Sequence, residues 1–199
     1  MNQTSDRELL TILLGEEAES YPTHSLAELF GLRRIRPGKT LQVAEEAFSY
    51  ALPSRLMAAR ELLRRALAES LADVPGMLAS PGAVRDYLRL FLAGQEYESF
   101  LALWLDAQNR LIAGMELFRG TTTQTSVHPR EVVRAGLKLN ASAVILAHNH
   151  PSGVAEPSRA DELLTSDLKN ALALIDIRVL DHFIVADTTV MSFAERGLI

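Results

Sequence analysis

Six residues, Ser142 to Ala147 (SAVILA), form a short apolar run that leads without a break into His148-Asn149-His150-Pro151-Ser152-Gly153. No other stretch constrains the fold as much. The apolar run reads as a buried strand, and Pro151-Ser152-Gly153 stops it and turns the chain. At a period of two residues, the side chains of His148 and His150 leave the strand on the same face. Two imidazoles therefore stand together at the open end of a sheet.

The rest of the chain supplies the partners such a strand needs. Ser99 to Leu105 is another short apolar run, Asp106 to Asn109 a turn, and Arg110 to Phe118 the second arm of a hairpin. Thr121 to Val127 is a threonine-rich strand candidate. Pro129 to Leu139 and Ser158 to Leu174 carry helical spacing. Ile177 to Val185 and Thr189 to Phe193 read as strands. Helices and strands interleave, which predicts an α/β sandwich on a mixed sheet. Before this region the pattern is helical. Leu9 to Leu14 forms a short stripe, His24 to Leu32 and Leu41 to Tyr50 are short helix candidates, and Ser54 to Leu71 has apolar residues at helical spacing between arginines. Asp73-Val74-Pro75-Gly76 and Ser80-Pro81-Gly82 are breakers, with Ser80 placed to cap a helix that runs to about Leu92. The expected division is a helical region over 1–72, a linker over 73–80 and an α/β domain over 81–199.

The 199 residues hold no cysteine, which excludes thiolate metal sites and leaves histidine and carboxylate as the available ligands. The net charge of −5 gives no global basic field toward nucleic acid or an anionic membrane. The first residues lack a basic segment before their apolar run, and no stretch approaches the roughly 18 apolar residues of a membrane span. A cytoplasmic location is expected.

Ser158 is placed to cap the following helix, and Asp161 falls three residues later in its first turn, at the end that faces the histidines. Asp161 then completes a set of two imidazoles and one carboxylate. Three protein ligands with a fourth position left for water is the arrangement of a catalytic zinc. The plainer alternative is a capping box, in which Ser158 and Asp161 only satisfy backbone N–H groups. The string His-Asn-His is no evidence for the nuclease motif of similar name, which spreads over a longer unit.

His148-x-His150, seven residues from Pro151 to Pro157, then Ser158-x-x-Asp161 resembles the metal signature of the JAMM (MPN+) metalloproteases. Val127-His128-Pro129-Arg130-Glu131, Ala147 to Gly153, Arg178 to His182 and Ser192 to Gly197 resemble the bacterial RadC family over about residues 80–199. The resemblance implies a cytidine-deaminase-like mixed-sheet sandwich, one Zn²⁺ per chain on His148, His150 and Asp161, and a glutamate acting on water. It also brings a DNA-repair association. JAMM proteins place that glutamate just before an apolar first strand, a position held here by Glu98. Glu96, Glu116 and Glu131 are the other candidates, with Glu131 better placed to start a helix. Ser158 is the candidate donor to a developing oxyanion. His128 and His182 could stand behind the ligands, although satisfied structural histidines are the preferred reading. Asp181 could orient His182, but neighbours on a strand point to opposite faces.

RadC-like chains begin with a region resembling helix-hairpin-helix DNA binders. Ser5 to Leu10 and Leu56 to Arg65 fit that region, but Leu52-Pro53-Ser54 stands where a glycine turn would approach phosphate. Arg33, Arg34, Arg36 and Lys39 form a small basic cluster. Any DNA association of residues 1–72 is expected to be weak and salt-dependent. The leading expectation is a zinc metallopeptidase-like hydrolase acting on a peptide or protein. The alternative is a DNA-associated repair or recombination accessory protein. Deamination on the same fold lacks the cysteine ligands and the His-x-Glu pairing it uses.

Overall fold

The structure is a computed structural model, and it describes residues 5–20, 25–32, 54–73, 81–120 and 127–199. The helix expected over Leu41 to Tyr50, the basic cluster from Arg33 to Lys39, Leu52-Pro53, positions 74–80 and most of the strand expected from Thr121 lie outside the described residues.

The helical part begins with α1 (Asp6–Leu14), started by a complete capping box in which Ser5 and Glu8 exchange side-chain and backbone hydrogen bonds. A 3₁₀ turn (Gly15–Ser20) follows. The four-residue α2 (Leu26–Leu29) is capped in the same way by Ser25 and Glu28. The long α3 (Ser54–Asp73) covers the segment whose apolar spacing is most regular. Leu14, Leu29 and Leu56 bury one another and tie α1 and α2 to the start of α3. At the other end of α3, Leu71 packs with Val84, Tyr87, Leu88 and Leu92 of α4 (Pro81–Leu92) against the sheet.

Arg60 locks these helices together. Its guanidinium donates to the carbonyls of Leu90 and Ala93 at the end of α4, at 2.8 and 3.0 Å. It also donates to Gly31 at 2.8 Å and Phe30 at 3.3 Å, just beyond α2. The last carbonyls of a helix have no partner within it, so one forked cation satisfies the ends of two helices at once. Gly94 permits this approach. It sits at φ +76°, and a Cβ there would lie 2.0 Å from the Gly31 carbonyl oxygen.

The sheet has the order β2-β1-β3-β4-β5, with β1 (Ser99–Leu105), β2 (Leu111–Arg119), β3 (Ala143–Asn149), β4 (Arg178–Ala186) and β5 (Thr189–Ser192). Only β3 and β4 pair in parallel, joined through α6 (Arg159–Ala173); the other pairs are antiparallel. Every residue of β1 and of β3 is buried, which is why both read as unbroken apolar runs rather than alternating ones. Leu101, Leu103, Leu105, Ala143, Ile145 and Ala147 face α3 and α4. Phe100, Ala102, Trp104, Val144 and Leu146 face the opposite layer, formed by α5 (Pro129–Lys138) and α6. The result is a cytidine-deaminase-like mixed-sheet sandwich preceded by helices. Among the described residues no helix is long and apolar enough to cross a membrane.

Replacing Arg60 by methionine keeps the apolar stem and removes all four of these hydrogen bonds. It should lower stability by about 1–3 kcal/mol, because carbonyls that are half enclosed lose their partners. Arg65, whose exposed side chain pairs with Glu61, provides the control; Arg65→Ala should stay within about 0.5 kcal/mol of the parent. Urea unfolding of both variants checks the difference.

Candidate metal centre

The alternation that puts Val144 and Leu146 on the α6 face of β3 puts His148 there as well. His148 is 1% exposed and pairs across the sheet with Phe100, whose ring stacks beside the imidazole. His150 follows just past the strand end. Its backbone N–H donates to the Val185 carbonyl at 2.9 Å, which prolongs the pairing by one residue and keeps the same facing. The turn closes through Gly153 at φ +80°, a conformation L side chains disfavour. It returns the Val154 carbonyl to His150, where Nδ1 lies 2.8 Å from the oxygen. A carbonyl only accepts, so Nδ1 carries the proton and the neutral His150 ring turns a bare Nε2 inward. That Nε2 lies 2.9 Å from His148 Nε2.

Asp161 approaches from α6. Ser158 is the N-cap, and the capping box is complete: the Ser158 hydroxyl accepts from Asp161 N–H, while Asp161 Oδ2 accepts from Ser158 N–H and Oγ at 2.7 and 2.6 Å. The same carboxylate reaches the histidines, with Oδ1 3.3 Å from His148 Nε2 and Oδ2 3.5 Å from His150 Nε2. Cap and ligand geometry therefore coexist rather than compete. Burial works to raise the Asp161 pKa, but the two histidines and Ser158 outweigh it and hold the carboxyl far below the usual range. Burial likewise works to lower His150, and the Asp161 contact, the Val154 carbonyl and the charge of Glu98 outweigh it, leaving His150 raised.

Asn149 points the other way from its two neighbours. Its Oδ1 accepts from Ser99 N–H at 2.7 Å and its Nδ2 donates to the Tyr97 carbonyl at 2.9 Å. The carboxamide thus grips the residues on either side of Glu98, whose own carbonyl accepts from Gly120 N–H. Glu116 is held by Ser99 and Arg119, and Glu131 by Arg134 in the first turn of α5. Among the described glutamates, Glu98 is the one whose charge registers at His150. His128 lies exposed before α5 with its ring edge on Phe118, away from the cluster. His182 is fully enclosed, with Nε2 2.9 Å from His148 Nδ1. Burial, and then the neighbouring His148, push its pKa well below the ordinary histidine range. Asp181 does not orient that ring; it accepts from the backbone N–H groups of His182 and Ala194 and from Ser192 Oγ. Thr165, one turn beyond Asp161, contacts His182 and is a residue the sequence reading missed. Its signal was the i,i+4 spacing from Asp161, which puts both on one helix face.

The ligand atoms of His148, His150 and Asp161 lie within 4.8 Å of one another, and the group can hold a metal ion. Two imidazoles and one carboxylate suit a borderline divalent ion. The donor set fits on a second ground: the Val154 carbonyl holds the His150 proton on Nδ1, which leaves Nε2 with a lone pair to offer a cation.

This fold and cluster define a JAB-type domain. The family model described as "RadC-like JAB domain" matches residues 78–198, and the chain belongs to the RadC family. It is 63% identical over 150 residues to a UPF0758 protein of Dechloromonas aromatica, covering 75% of this chain and 66% of that protein. It is 65% identical over 146 residues to a UPF0758 protein of Leptothrix cholodnii, covering 73% and 65% of the two chains. These two alignments thus span a little under two thirds of the relatives' own length. A UPF0758 protein of Methylibium petroleiphilum is 51% identical over 201 residues, covering 98% of this chain and 90% of its own.

Proton linkage gives a test of the cluster. Because His150 is raised when folded, its proton adds stability to the metal-free protein that is full below about pH 6.5, the unfolded value, and is lost as pH rises through the folded value. The same proton competes with a cation, since a histidine must be neutral to ligate. The thermal shift produced by added zinc should therefore be small near about pH 5.5 and grow through about pH 7.5. A zinc shift that is flat or falls across this range would count against the cluster as the binding site.

Proposed function

We propose that the chain is a zinc-dependent hydrolase of the JAMM metallopeptidase type, acting on an amide bond of a peptide or protein. The observation that carries this reading is the convergence of two imidazole nitrogens 2.9 Å apart with a carboxylate within 3.5 Å of each, at the open end of the sheet. His148, His150 and Asp161 would hold the ion. Zinc bound there would supply Lewis acidity toward a carbonyl and lower the pKa of water to about 7.

The remaining work falls to the chain's own groups. Glu98 is the base in this reading, taking a proton from water and returning it to the leaving amine. Two features support that choice: its charge acts on His150, and the Asn149 carboxamide fixes the backbone on both sides of it. Glu116 and Glu131 are already committed to arginines. Ser158 is the donor to a developing oxyanion. Its single hydroxyl proton lies on Asp161 Oδ2, so it would have to turn from Asp161 toward the substrate.

Metal analysis of the purified protein should find about one zinc per chain. His150→Ala should empty the site, and full occupancy in that variant would refute the assignment. Peptide-library cleavage with and without chelator then tests hydrolysis. Glu98→Gln should keep the zinc and lose about 10²–10⁴-fold in rate, while Glu116→Gln and Glu131→Gln keep most of it. If Glu116→Gln or Glu131→Gln abolishes turnover and Glu98→Gln does not, the base is another residue. If metal is present and none of the three matters, the DNA-associated accessory role becomes the better reading.

A further inference from the structure

We propose that Thr165 and His182 are positioning residues that fix the proton of His148 on Nδ1 and so keep its Nε2 bare toward the metal position. The inference rests on the metal reading above. It follows from accounting for each proton along a chain of three contacts. Thr165 Oγ1 lies 2.6 Å from the backbone carbonyl oxygen of Asp161, one helical turn back. A carbonyl has no proton to offer, and two oxygens do not approach this closely without one between them, so the hydroxyl donates there. Thr165 has then used its only proton. His182 Nδ1 lies 2.6 Å from the same Oγ1 and must be the donor in that contact. A neutral imidazole carries one proton, which leaves His182 Nε2 as an acceptor. His148 Nδ1, 2.9 Å from it, therefore donates. The proton that could have blocked His148 Nε2 is placed on the far side of the ring.

The surroundings enforce the neutral state of His182. The ring stacks on Phe193, with centroids 4.8 Å apart, and meets the edge of Phe100. It is 0% exposed, so water cannot exchange its role for another partner. The path also closes a loop. It runs from the carbonyl of Asp161, through Thr165 and His182, to His148, whose Nε2 faces the Asp161 carboxylate. The ligand carried by the strand and the ligand carried by the helix are thus linked behind the site as well as in front of it. Partners that hold a metal-binding histidine from behind set both its tautomer and its ring orientation.

The test uses the full chain and two kinds of measurement. Imidazole nitrogen NMR of the metal-free wild type should show His148 and His182 each protonated on Nδ1. Zinc affinity, read by competition with a chelator at a temperature where every variant is folded, should fall about 10–100-fold in Thr165→Val. Thr165→Ser, which restores the hydroxyl, should recover most of it. A purely structural Thr165 would change the melting temperature of the metal-free protein but not the zinc affinity of the folded one. A His148 proton on Nε2 in the wild type overturns the proposal without any variant being made. Equal zinc affinity in wild type and Thr165→Val overturns it while leaving the metal reading intact. A wild type that binds no zinc, yet carries the His148 proton on Nδ1, overturns the metal reading alone.

Discussion

His148 Nε2 and His150 Nε2 face each other across 2.9 Å, with the Asp161 carboxylate spanning both. With both nitrogens bare, two lone pairs at that distance would repel and the carboxylate would add to the repulsion; a proton or a metal ion among them relieves it. The protein accepts this arrangement because the backbone leaves it little choice. β3 is buried on both faces, so a shift of one residue would turn Val144 and Leu146 away from their layer and expose Asn149 to it. The register that packs the core is the register that points both histidines into the site. Core and site therefore stand or fall together.

The same economy recurs at α6. The capping box of Ser158 and Asp161 starts the helix, and a cap of this kind contributes about 0.5–2 kcal/mol. Its carboxylate has two oxygens with several acceptor positions, so serving two donors of Ser158 leaves directions free for the histidines. The capping role of Asp161 and its approach to the two histidines, which the sequence sets against each other, are compatible in the structure. A serine at the cap and an aspartate rather than a glutamate at the third helical position also shorten the reach. The carboxylate stays over the helix end, where the first-turn N–H groups favour negative charge.

This also explains how much of the site could be read in advance. The grouping of His148, His150 and Asp161 was legible because strand period and helix cap are local rules, acting within four residues of each of them. The fold class was legible from apolar runs and their alternation with helical spacing. Thr165, Asn149 and Arg60 were not. Thr165 looks like any polar residue on a helix until β4 brings His182 against it. Asn149 reads as part of a turn, yet it reaches Tyr97 and Ser99, about fifty positions earlier in the chain. Arg60 sits among several arginines of an amphipathic helix, and only the meeting of α2, α3 and α4 singles it out. Contacts of long sequence separation carry no local pattern, so these roles emerge only with the folded chain.

The odd-numbered and even-numbered residues of one strand end thus divide the labour of the site. His148 and His150 face α6 and turn their Nε2 atoms toward Asp161. Asn149, between them, faces the opposite layer and holds the segment that carries Glu98. A base must stay within a hydrogen bond of the water it activates, while a ligand must stay within bonding distance of the ion. In the proposed hydrolase, fixing both from a single tripeptide would make the separation between base and ligand set a property of the strand's pleat, not of two independently moving loops. On this arrangement, loosening Asn149 would leave the ligand nitrogens where they are and free only the base. In the proposed hydrolase the pleat that separates the three side chains would therefore let metal binding and proton transfer be altered one at a time.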